Sequence, residues 1–129
     1  MKILVVEDDR SIQMVLELVL TKIAHCQVLV ASDGNEGIAR ILEHKPDIIM
    51  LDLMLPGIDG FEICRRAKAN EETRHIPVIF LTAQPQPAAV ARAMALGAAG
   101  YIVKPFDPFK IVDQINEALS RVQAPLIKK

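Results

Sequence analysis

The apolar residues of this chain follow two rhythms. Short unbroken runs, Ile3-Leu4-Val5-Val6, Ile48-Ile49-Met50-Leu51 and Val78-Ile79-Phe80-Leu81, alternate with longer stretches in which apolar side chains return every three or four positions. An unbroken run fits a strand covered on both faces, as in the middle of a parallel sheet, because a half-exposed strand would alternate polar with apolar. Gln27 to Ala31 and the shorter Tyr101-Ile102-Val103 complete a set of five strands.

The spaced stretches predict helices on the core-facing stripe. Ile12, Val15, Leu16, Val19, Leu20 and Ile23 define one over about 10 to 24. Ile38, Ile41 and Leu42 face inward in a second, which Ser32 or Asp33 can cap and which stops before Pro46. A third begins at Asp59-Gly60, carries Phe61, Ile63 and Cys64, and ends among Asn70-Glu71-Glu72. The fourth, Ala88 to Leu96, is delayed or started by Pro85 and Pro87 and closed by Gly97. Its alanine-rich surface has little bulk to bury, so it is expected to be the least firmly packed. The fifth carries Phe109, Val112, Ile115, Leu119 and Val122 and breaks at Ala124-Pro125.

Strand then helix, five times over, implies an α/β fold with a doubly wound parallel sheet. With right-handed crossovers and helices on both faces, the flavodoxin-like order 2-1-3-4-5 sets strands one and three side by side. A length of 129 residues with 51% hydrophobic content suits one core. Residues 1 to 123 are read as that domain, and 124 to 129 as a short basic tail or the start of a linker.

Charge and cysteine usage narrow the partners. A formal net charge of −1 gives no general attraction to nucleic acid or to an anionic membrane. Cys26 and Cys64 lack a second Cys or His at ligand spacing, and each reads as a small buried hydrophobe in a reducing compartment. The apolar start is broken at Glu7, too early for a signal peptide or a membrane span, so a cytoplasmic location is expected.

Candidate chemistry lies at the strand ends. Strand one ends on Glu7 and Asp8, strand three on Asp52, strand four on Thr82 and strand five on Lys104. Taken alone, Asp52 before Pro56-Gly57 could be an ordinary cap, the acids could point to solvent, and Lys104 could be a surface lysine. In a parallel sheet, however, all carboxyl ends share one edge, where open α/β sheets bind ligands. Three carboxylates crowded there raise one another's pKa unless a cation joins them. Mg²⁺ suits such a site, because it accepts one or two carboxylates and keeps waters for a phosphate. Asp52 then becomes a carboxylate nucleophile able to form an acyl phosphate, with Lys104 and the Thr82 hydroxyl neutralising phosphoryl oxygens.

Ile3 to Asp9, Asp47 to Gly60 with Asp52-Leu53-Met54-Leu55-Pro56-Gly57, Leu81-Thr82-Ala83 and Lys104-Pro105-Phe106 together resemble the receiver domain of two-component response regulators. The similarity runs from Lys2 to about Val122, with four motifs in order. It implies that Asp52 accepts a phosphoryl group from a phosphohistidine on a sensor histidine kinase or phosphotransfer protein. It also implies that Glu7, Asp8, Asp52 and the main-chain carbonyl of Met54 hold Mg²⁺, with Asp9 outside the ligand set. Thr82 would turn toward the phosphoryl group and Tyr101 would swing inward behind it. The face made by helix four, strand five and helix five would then rearrange toward an effector or a fused output domain. On this reading the chain catalyses only its own phosphotransfer and slow dephosphorylation.

Some residues depart from the pattern. Ala98-Ala99-Gly100 stands where the dimerising transcription-factor branch carries an acidic pair, and no basic and acidic partners are read on helix four. A monomer, or a dimer that depends on phosphorylation, is expected over that salt-bridged dimer. Met54 and Gln84 flank the path of an attacking water, and an apolar Met54 cannot orient it, so self-hydrolysis is expected to be slow. The rival readings are an aspartyl-phosphate hydrolase, a receiver-like interaction module that is never phosphorylated, and a flavin-binding protein. The first needs a second acid two residues after Asp52, where Met54 stands. The third needs a phosphate-cradling loop after strand one, where acids stand instead.

Overall fold

The computed structural model describes residues 1–83 and 85–128. The parallel sheet is built from β1 (Lys2–Val6), β2 (Gln27–Ala31), β3 (Ile48–Asp52), β4 (Val78–Thr82) and β5 (Gly100–Val103), in the order β2-β1-β3-β4-β5. The crossovers are α1 (Arg10–Lys22), α2 (Gly34–His44), α3 (Gly60–Ala69) and α4 (Pro87–Ala95), and α5 (Ile111–Arg121) follows β5. None of these helices is long and apolar enough to cross a membrane.

Pleating sorts the strand residues into two cores. Ile3, Val5, Ile48, Met50, Ile79 and Leu81 pack with α1 and α5 on one face. Leu4, Val6, Ile49, Leu51, Val78 and Phe80 pack with α2, α3 and α4 on the other. All of these are essentially inaccessible to water, and each such side chain contributes about 1.5–3 kcal/mol by burial. Double-sided burial is why the unbroken apolar runs were legible as strands. Both cysteines are free and buried, and burial pushes their thiols up in pKa.

Three helices begin at an aspartate. Asp9 accepts from the backbone N–H groups of Ser11 and Ile12, Asp33 from that of Glu36 and Asp59 from that of Glu62. The side-chain oxygen satisfies donors that the first helical turn leaves unpaired. α4 starts instead at Gln86, with Pro87 in its first turn and no side-chain cap bond. It buries only Ala93, in line with the loose packing expected of it. Gly97, at φ +96°, ends it.

Four expected core positions lie at the surface. Ile23 and Val122 are the C-cap residues of α1 and α5, where the chain is already turning off the sheet. Leu42 is exposed because α2 lays Gly34, Gly37 and Ile41 inward, one helical step away. Phe109 is 85% exposed, in the turn before α5. The inward stripe there is Ile111, Val112, Ile115, Ala118 and Leu119. At the other end of α5, the expected tail is packed: Ile127 is buried in the same core as Leu20, Cys26 and Leu119.

Candidate functional site

Parallel register brings the strand ends to one edge. Val6 pairs with Leu51, and Asp52 pairs with Leu81, so Glu7, Asp52 and Thr82 follow one another across adjacent strands. The Lys104 backbone N–H donates to the Thr82 carbonyl at 2.8 Å, extending the ladder to β5. Carboxylate oxygens of Glu7, Asp8 and Asp52 all lie within 4.8 Å of one another. Glu7 and Asp52 are buried, and Asp8 is exposed at the rim.

The Lys104 ammonium sits between two of these acids. Its Nζ is 2.8 Å from Glu7 Oε1 and 3.3 Å from Asp52 Oδ2. Glu7 is pushed up in pKa by burial, more than its bond from Lys104 lowers it, and the adjacent Asp52 pushes it further. Asp8 is raised by desolvation and then by Glu7. Lys104 would be lowered by burial, but its bond to Glu7 and the charge of Asp52 outweigh that and raise it. The edge therefore holds more negative charge than one ammonium balances. Clustered hard oxygen donors of this kind fit a small divalent cation.

The surroundings fix Asp52. Asp52 Oδ1 takes the Met54 backbone N–H at 3.1 Å, while the Met54 side chain lies out in solvent. α3 rests directly on this strand end. A β-carbon at Gly60 would lie 2.5 Å from the Asp52 carbonyl oxygen and 3.0 Å from Leu53 Cα, so only glycine permits the approach. Asp52, Met54, Thr82 and Lys104 line a single cleft with Phe61 and Ala89. Asp9 caps α1 rather than facing the other acids, and its backbone N–H donates to Glu7 Oε2 at 3.1 Å.

Other expected positions fall as follows. Tyr101 pairs with Phe80 in the ladder and is 41% exposed. Helix four does carry a cation: the Arg92 guanidinium stacks over the Phe61 ring at 4.2 Å, and that ring is 5.9 Å from Phe80. Gln84 lies outside the described residues. One polar residue of the site escaped the sequence reading. Gln13 on α1 is buried, and its amide donates to the Glu7 carbonyl and, at 3.1 Å, to Ser32 Oγ. Its signal was a polar residue three positions before Leu16, inside an apolar stripe.

Comparison with known proteins follows the same lines. Residues 3–116 match the family model described as the response regulator receiver domain. The chain is 40% identical over 119 residues to the transcriptional regulatory protein AfsQ1 of Streptomyces coelicolor, covering 92% of this chain and 51% of that one. It is 35% identical over 126 residues to the phosphate regulon transcriptional regulatory protein PhoB of Rhizobium meliloti, covering 98% and 55%. The chain thus spans about half the length of these relatives. Among solved structures, the chemotaxis protein CheY4 of Vibrio cholerae superposes with a TM-score of 0.85 at 30% identity, over 92% of this chain and 98% of that one.

Proposed function

Because this chain belongs to the response regulator receiver domain family, we propose that Asp52 is its phosphoacceptor, taking a phosphoryl group from the phosphohistidine of a sensor kinase or phosphotransfer protein. The observation that carries this reading is the meeting of Glu7, Asp8 and Asp52 within 4.8 Å, with Lys104 bonded to two of them. An Asp52 carboxylate oxygen attacks phosphorus, the O–P bond forms as the P–N bond to imidazole breaks, and the imidazole nitrogen retains the electron pair. Such a transfer needs in-line placement and charge neutralisation more than proton chemistry.

Glu7, Asp8, Asp52 and the Met54 carbonyl form the proposed Mg²⁺ ligand set. When bound, the ion offsets the negative charge of the carboxylates and of the incoming phosphoryl group. Lys104 then gives up part of its hold on Asp52 to a phosphoryl oxygen, and the Thr82 hydroxyl meets another. The new group adds roughly −1.5 to −2 charges and three acceptors. Those two side chains move toward it, Tyr101 leaves its exposed position, and the α4–β5–α5 face presents a second surface to an effector or output domain. The chain acts in the cytoplasm and catalyses only its own phosphotransfer and slow dephosphorylation. Met54 offers no hydrogen bond to an attacking water, so Met54→Asn shortens the phosphoryl lifetime.

Incubation with acetyl phosphate and Mg²⁺ tests the assignment by intact mass. The expected result is one phosphate per chain, absent from Asp52→Ala and strongly reduced when the metal is chelated. Phosphate incorporation that persists in Asp52→Ala overturns it.

A further inference from the structure

The edge of the sheet opposite the acids holds a second constructed feature. After α5 the chain reverses at Gln123, at φ +57°, with the Ala124 N–H donating to Leu119 O at 3.0 Å. Residues 125–128 then come alongside Met1, Ala24, His25 and Cys26, and the two segments line one groove. The Ile127 side chain is buried to 4% exposure, while Leu126 and Lys128 on either side stand in solvent. Asn116 on α5 closes on this residue from both sides. Its Nδ2 donates to Ile127 O at 3.0 Å, and its Oδ1 accepts from Ile127 N–H at 2.8 Å.

An amide that pairs with both backbone groups of one residue reads an extended peptide irrespective of its side chain, and the apolar socket beside it reads a single branched side chain. Backbone pairing plus a pocket for one side chain is how proteins bind extended segments. We propose that Asn116 and the socket beneath Ile127 form a peptide-binding site, occupied in cis by residues 124–128. Its ligand class is an extended segment with one branched aliphatic residue. The site owes nothing to phosphate chemistry, because it lies at the far edge of the sheet from Asp52.

Cys26, 5% exposed in the groove, reports occupancy, and Cys64, a fully buried residue of α3, reports global opening. Thiol labelling of the 129-residue chain with Ellman's reagent tests the proposal. In Ile127→Asp, Cys26 is expected to label about tenfold faster or more, as the strap's local opening becomes favourable, with Cys64 unchanged. A synthetic peptide of residues 124–129 restores Cys26 protection in that variant at millimolar concentration, matching the effective concentration of a short tether, on the order of mM. The peptide has no effect in the double variant Asn116→Ala, Ile127→Asp. Unchanged Cys26 labelling, equal acceleration at Cys64, or a peptide that protects neither variant each overturns the proposal.

Discussion

The first three helices and the last two are held to one sheet by different means. α1, α2 and α3 each start at an aspartate bonded to the first turn, and two of those caps lie next to the acids: Asp9 donates to Glu7, and Asp59 precedes the glycine that rests on Asp52. α4 and α5 start at Gln86 and Lys110 without such bonds. α5 makes good with five buried residues and the Asn116 clamp, whereas α4 has one buried alanine and the Arg92–Phe61 stack. The half that supplies the acids is thus fastened at its polar ends as well as in its core. The half that supplies Lys104 and Tyr101 includes the one helix free to shift at low cost.

The largest contrast is in the core. Ile63→Ala on α3 is expected to cost about 2–5 kcal/mol, and Met94→Ala on exposed α4 to stay within about 0.5 kcal/mol, as surface changes do. Urea unfolding midpoints measure both, and equal losses would abolish the distinction between the halves. Next come the two ion contacts through which Lys104 joins them. Lys104→Met leaves Glu7 and Asp52 without their ammonium and is expected to cost about 1–3 kcal/mol without divalent cations. Mg²⁺ should then stabilise this variant more than the parent chain, since Lys104 no longer competes for the acids. Thermal unfolding with and without the metal reads the difference.

Smaller effects sharpen the comparison at the caps. Asp33→Ala is expected to cost about 1 kcal/mol, while Gln86→Asp, at an extended cap position with no bond to lose, gains about 0.5–1 kcal/mol by capping α4. Hydrogen exchange along α4 locates the gain. The smallest effect is at Glu62, whose carboxyl is held down to about 2 by Arg65 and Arg66. A depressed acid contributes stability that is present above its ordinary value of 4.5 and is lost as pH falls through about 2. The advantage of the parent chain over Glu62→Gln is therefore expected to shrink across that window in an acid titration of thermal stability.

The strands were legible because burial on both faces leaves an unbroken signature, and the convergence of Glu7, Asp8, Asp52, Thr82 and Lys104 followed from parallel order alone. Helix ends were less legible. Ile23 and Val122 carry the right spacing, but spacing does not record where a helix leaves the sheet; Leu42 lies one step off the inward face of α2, and Phe109 falls in the turn just before α5. Gln13 and Asn116 went unseen for a related reason. An amide set within an apolar stripe looks like a solvent-facing residue until its partners, a strand carbonyl and a distant backbone, are placed beside it.

The seat of α3 on Asp52 has a practical consequence. A methyl group at Gly60 would press on the backbone carbonyl of Asp52, on the strand end that the helix capped by Asp59 rests against. A saturation mutagenesis map of this chain would rank Gly60 with the clustered acids Glu7, Asp8 and Asp52. The cause is crowding, so replacements there would fail in order of side-chain volume, whatever their charge.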